Sequence, residues 1–206
     1  MLAPRTQPAT VDSAPPLQRR IAWGVFIAWF AATSVFGAWT VAQHLIPLPN
    51  ARPDEQAAGN APLAWYVLGS DCGCSASVAG DLVKRGPQRD WREQVWLVGD
   101  EPEIESRLRQ AGFSVARIAP EELARTHRIH GAPWLALFDQ RGQLAYSGGY
   151  ARSRPGLPGA FNVSSDLMIA VARGQPVENL PSYGCATSEA LRERLDPLHL
   201  RFPAKP

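Results

Sequence analysis

Three cysteines carry most of the chemistry open to this 206-residue chain. Two stand one residue apart, Cys72-Gly73-Cys74, and the third, Cys185, lies far downstream in Tyr183-Gly184-Cys185-Ala186. An odd count allows at most one intramolecular disulfide and leaves a thiol over, which argues against a disulfide-stapled mini-protein and for chemistry at one or two thiols. The close pair sits between Asp71 and Ser75, directly after the apolar run 63–68 and before Val78, Leu82 and Val83 at helical spacing. That order reads as strand, cysteine turn, helix. A cysteine at a helix N-terminus has its thiolate stabilised by unpaired backbone N–H groups and the helix dipole, which brings its pKa from about 8.5 into a range of roughly 3.5 to 7.5. Thiolate is the attacking species in disulfide exchange, so Cys72 is the candidate nucleophile. Asp71, directly before it, works the other way, because a neighbouring carboxylate disfavours a second negative charge.

Resolving a mixed disulfide needs a second thiol within reach. Cys74 is near in sequence, but a disulfide across one residue closes a small strained ring, which makes it readily reduced and oxidising. Cys185 is the other candidate, provided that its segment folds back over residues 72–74. Cys74 and Cys185 are both catalytic candidates beside Cys72. His130 reads as a polar turn residue, and Trp65, Trp96 and Trp134 as core.

The remaining pattern supplies the frame. Residues 94–98 form a second apolar run, 101–110 a helix with Pro102 and acidic residues in its first turn, 114–118 a short strand and 120–127 another helix opened by Pro120. After Gly131-Ala132-Pro133, the runs 134–138 and 143–146 are joined by Asp139-Gln140-Arg141-Gly142 as a β-hairpin. A last helix is capped by Ser164 or Ser165, runs from 166 to about 173 and is ended by Gly174. Strands alternating with helices and then a hairpin predict an α/β sandwich with a mixed sheet.

Residues 21–45 contain no Asp, Glu, Lys or Arg and are long enough to cross a bilayer. Arg5, Arg19 and Arg20 precede this run, whereas the segment after it offers Arg52 with Asp54 and Glu55 close by, so the positive flank puts the N-terminus in the cytoplasm and the domain outside. The expected organisation is a disordered tail over 1–20, a transmembrane helix over 21–45, a Pro-rich linker over 46–62, a folded domain with a C-terminal extension over 63–195, and a tail over 196–206. The net charge of +2 comes from 21 basic and 19 acidic residues with no basic stripe, which excludes nucleic acid as a partner.

The cysteine motif at the first strand-to-helix turn, followed by Gly131-Ala132-Pro133 at the start of the hairpin, resembles the thioredoxin-like superfamily. The extra strand and helix between them are similar to the membrane-anchored bacterial thiol-disulfide oxidoreductases. The resemblance covers about residues 63–175. It implies a thioredoxin-like three-layer sandwich preceded by one transmembrane helix, a cis Pro133 that, with Ala132, shapes the substrate groove, and no cofactor or metal. It further implies exchange with cysteine-containing envelope proteins at the bacterial inner membrane, with the domain in the periplasm. One departure stands out: the family pattern is Cys-x-x-Cys, whereas here the fourth position is Ser75 and the second cysteine has moved inward. Two other functions remain open, a Cu(I)-binding chaperone of the same fold using the thiols and a non-catalytic module that docks another membrane protein.

Overall fold

The computed structural model describes residues 16–45, 47–49, 51–53, 61–70, 72–151 and 164–196. Most of the expected N-terminal tail, part of the linker, Asp71 and nearly all of the C-terminal tail lie outside these residues.

The chain divides into two units, 1–43 and 44–206. The first holds nearly all of helix α1, Pro16–Leu45. It begins five residues before the expected start, because Pro16 fits the first turn of a helix and nothing in Leu17-Gln18-Arg19-Arg20 breaks one. Its stretch Leu17–Ala38, of 22 residues and mean hydropathy 1.7, is long and apolar enough to cross a membrane. Thr33 donates its hydroxyl to the carbonyls of Trp29 and Phe30, so its polar group is satisfied within the helix itself.

The second unit opens with β1, Leu63–Gly69, whose seven residues are all buried. Then come α2 (Gly73–Arg85), β2 (Arg92–Val98), α3 (Pro102–Gln110), β3 (Ser114–Ile118) and α4 (Pro120–His127). The chain continues with β4 (Gly131–Ala132), β5 (Trp134–Phe138), β6 (Leu144–Gly148), α5 (Ser164–Ala172), β7 (Cys185–Ala186) and α6 (Glu189–Leu195). Five strands form one sheet in the order β3-β2-β1-β5-β6. The β1–β2 and β2–β3 pairs are parallel and β1–β5 and β5–β6 antiparallel, the mixed sheet expected from crossovers followed by a hairpin.

Alternation along β1 shows why it is apolar throughout. Ala64, Tyr66 and Leu68 pack on one face with Val78 and Leu82 of α2, Leu108 of α3 and Met168 of α5. Leu63, Trp65 and Val67 pack on the other with Leu123 of α4 and Leu191 of α6. A central strand covered on both sides must be hydrophobic at both phases of its two-residue period. The result is the three-layer sandwich of thioredoxin-like fold.

Part of the expected tether belongs to this core. Leu48 and Ala51 are buried on the second face, Leu48 N–H donates to the Ser182 carbonyl at 2.7 Å, and the Ala51 carbonyl accepts from Ser147 Oγ at 2.7 Å. Leu48 lies over Gly131, where a Cβ would stand 2.5 Å from Leu48 Cδ1 and 3.1 Å from its Cγ. Gly131→Ala is therefore expected to cost about 1 to 3 kcal/mol of overpacking, read as a lowered urea midpoint. An unchanged midpoint would mean that Leu48 is not held there.

Candidate active site

Cys72 is the N-cap of α2, with extended backbone at φ −121° and ψ 105°, and its carbonyl accepts from Ala76 N–H at 2.9 Å. The helix starts here because β1 ends at Gly69 and Ser75, wholly buried, accepts the Gly69 N–H on its hydroxyl at 3.0 Å. This contact ties the first turn of the helix to the end of the strand. Cys72 and Cys74 are both buried, at 5% and 3% exposure. All three cysteines are thiols.

The opposite wall of the site comes from the loop before the hairpin. The Ala132–Pro133 peptide is cis, as the resemblance implied, and the Ala132 carbonyl accepts from Cys72 Sγ at 3.7 Å. Ala132 belongs to β4, which pairs not with the main sheet but with β7, in antiparallel register: Gly131 opposite Ala186 and Ala132 opposite Cys185. The segment carrying Cys185 does fold back over the close cysteine pair.

Several contacts in succession deliver it there. After Gly174, in the left-handed region at φ 67°, the chain runs back along β6. The side chain of Asn179 accepts from Ser147 N–H at 3.0 Å and the Leu180 carbonyl accepts from Gly149 N–H at 3.0 Å. Ser182 then donates its hydroxyl to the Pro133 carbonyl at 2.6 Å. Beyond β7, the His130 carbonyl accepts the Thr187 N–H at 2.9 Å, and His130 Nδ1 lies 3.0 Å from the hydroxyl of Ser188, the N-cap of α6. His130 thus fastens α6 to the β4 loop.

Gly184 is the residue that allows the close approach. A Cβ there would fall 2.6 Å from both the Ala132 carbonyl carbon and Pro133 Cδ, and nearer still to the Ala132 oxygen. Any larger residue would push β7 off β4.

The electrostatics of Cys72 follow from these neighbours. A hydrogen bond with the Cys185 side chain is the strongest influence, a hydrogen bond with Cys74 the next, and the Ser75 hydroxyl and backbone N–H add to them. Together they outweigh burial and hold the thiol well below its ordinary value. Because the folded pKa is depressed, the thiolate's contribution to the reduced fold is present above the ordinary thiol pKa and is lost as pH falls through the lowered one. The rate of Cys72 alkylation by iodoacetamide in the reduced full chain is expected to stay flat between about pH 6 and 8, whereas an ordinary thiol gains about tenfold per unit there. A tenfold rise per unit would refute the lowered pKa.

The structure brings together Cys72, Cys74, Cys185, Ala132 and Pro133. Reading the sequence missed Ser182, Gly184 and the β4–β7 pairing, of which the one local sign was a glycine directly before the third cysteine. Among the described residues, no group of three or more His, Cys, Asp and Glu side chains is placed to hold a metal ion.

No family model matches the chain, and no curated protein matches it. Solved structures do. An uncharacterized conserved protein from Geobacillus kaustophilus is 18% identical over 70% of this chain and 92% of its own, with a TM-score of 0.52. A hypothetical protein from Sinorhizobium meliloti 1021 is 18% identical over 69% and 95%, with a TM-score of 0.50. A thioredoxin-like protein solved in its oxidized form is 12% identical over 64% and 93%, with a TM-score of 0.44. At such identities the likeness to the first two is one of fold, and the strand order β3-β2-β1-β5-β6 with helices packed on both faces is that of a thioredoxin-like fold.

Proposed function

We propose that the protein is a thiol-disulfide oxidoreductase in which Cys72 attacks and Cys185 resolves. The observation that carries this reading is that Cys72, the N-cap of α2, stands with its Sγ 3.7 Å from the carbonyl oxygen of Ala132, the residue opposite which a second thiol, Cys185, is held. Cys72 thiolate attacks a substrate disulfide, one sulfur of which leaves as thiolate while the other joins Cys72. Cys185, deprotonated in turn, attacks Cys72 Sγ, so that the substrate leaves reduced by two electrons and the protein carries a Cys72–Cys185 disulfide. Cys74 serves as a hydrogen-bond donor to the thiolate, since a ring closed across Gly73 would be strained.

The apolar stretch of α1 anchors the chain, and Arg19 and Arg20 at its start keep the N-terminus cytoplasmic, so the domain acts outside the cytoplasm on cysteine-containing envelope proteins. Disulfide mapping tests the pairing. The full chain, oxidised with a small-molecule disulfide, alkylated and digested, is expected to yield a Cys72–Cys185 cross-linked peptide and an alkylated Cys74. A Cys72–Cys74 cross-link, or three alkylated cysteines, would overturn it.

A further inference from the structure

Strand β7 occupies the backbone edge of β4 beside Cys72. It is held there by means that do not depend on most of its own side chains: pairing with β4 and the Thr187 N–H to the His130 carbonyl. Pairing of this kind is open to any extended segment, because main-chain hydrogen bonds supply the affinity and side chains only the selectivity. Two features of β7 are specific. It sets a cysteine opposite Ala132, whose carbonyl also accepts from Cys72 Sγ, and Gly184 directly before it stands where a Cβ would strike the Ala132 carbonyl.

We infer that β7 is an internal stand-in for the substrate: an extended cysteine-bearing segment of the partner protein replaces it on β4, and a glycine directly before that cysteine is the preferred match. The inference rests on the oxidoreductase reading of Cys72 and adds to it a substrate class and an order of events. With β7 off the edge, a substrate strand presents its disulfide to Cys72, whose thiolate displaces the other sulfur. When the strand leaves and β7 returns, Cys185 attacks Cys72 Sγ and releases the substrate thiolate, which takes up the proton that Cys185 gives up. The same edge thereby admits the substrate and delivers the resolving thiol, and the two compete for it.

The probe is the hexapeptide Ser-Tyr-Gly-Cys-Ala-Thr, the sequence of residues 182–187, with its cysteine joined to thionitrobenzoate. Attack by Cys72 releases coloured thionitrobenzoate and leaves the peptide on Cys72. With the reduced full chain in detergent, Gly184→Val is expected to release thionitrobenzoate about tenfold faster than the wild type, because the competing strand no longer taxes binding. It is also expected to keep the peptide on Cys72 by mass spectrometry, where the wild type sheds it. The same peptide with valine for glycine is expected to react with the Gly184→Val chain about tenfold more slowly. Ser182→Ala, which removes the hydrogen bond to the Pro133 carbonyl without adding bulk, is expected to act in the same direction by about threefold and serves if the valine variant does not fold. Wild-type rates in both variants, or equal rates for the two peptides, would overturn the inference while leaving the role of Cys72 intact. Release that persists at the wild-type rate in Cys72→Ser would instead remove the oxidoreductase reading beneath it.

Discussion

Serine in place of Cys72 is expected to abolish disulfide exchange, and serine in place of Cys185 to stop it halfway. Loss of the attacking group in covalent catalysis costs at least about three orders of magnitude in rate, so Cys72→Ser should reduce insulin disulfides no faster than dithiothreitol alone. Cys185→Ser leaves the attack in place, because Cys72 keeps its position at the head of α2 and its contacts with Cys74 and Ser75. It removes the thiol that breaks the mixed disulfide, so substrate proteins accumulate on Cys72 and are recovered by non-reducing electrophoresis and mass spectrometry. Serine at position 185 keeps a hydroxyl donor toward Cys72, so the attacking thiolate stays stabilised in this variant. Cys74→Ser retains a hydroxyl donor at the same place, and its turnover is expected to fall by no more than about tenfold, the scale of one weakened charge-assisted hydrogen bond. The assignment is reversed if Cys74→Ser is the variant that traps substrates and Cys185→Ser turns over normally.

How much of this could be read from the residues depended on how far each signal reached along the chain. The run 63–68 announces a strand covered on both faces, and the acidic first turns of α3 and α4 announce helix starts, because each is a local pattern. The cysteine turn was equally local. Strands β4 and β7 have two residues each, too short to carry a period, and their pairing is set by a return path fixed through Asn179, Leu180 and Ser182. The position of Cys185 opposite Ala132 therefore has no local sign in the residues around it. Leu48 and Ala51 sit among prolines and read as tether, yet they are core, since burial against Gly131 and Ser147 owes nothing to their neighbours in sequence. Strand β2 begins at Arg92, two residues before the apolar run that marks it, because Glu93 is charged and nevertheless buried.

That residue gives the second large effect. The Glu93 carboxylate, with its side chain wholly buried, takes a fork from Arg85, Nη1 to Oε1 at 3.0 Å and Nη2 to Oε2 at 2.6 Å, and accepts the Gln88 N–H as well. Arg85 Nη2 also donates to the Tyr66 hydroxyl at 3.1 Å, which donates in turn to Met168 Sδ at 3.3 Å. The guanidinium stands 5.9 Å from the Tyr66 ring centre and 5.7 Å from that of Phe113. Burial, with Glu93 next, pushes the Tyr66 hydroxyl well above its ordinary pKa, so it remains a neutral donor. Glu93→Ala leaves Arg85 charged against apolar neighbours and is expected to cost about 3 to 5 kcal/mol, the range for breaking a buried pair from one side. The double variant Arg85→Met with Glu93→Leu removes both charges and is expected to recover more than half of that loss. Urea midpoints followed by tryptophan fluorescence decide it: a single-variant loss below about 1 kcal/mol would class the pair with exposed ion pairs. Arg85 closes the same helix that Cys72 opens, roughly 20 Å away along its axis, so the pair fixes where α2 lies on the sheet without touching the thiolate. Glu93→Ala should consequently lower the midpoint while leaving the flat pH dependence of Cys72 alkylation unchanged, and a shift in that profile would show that the two ends of the helix are coupled.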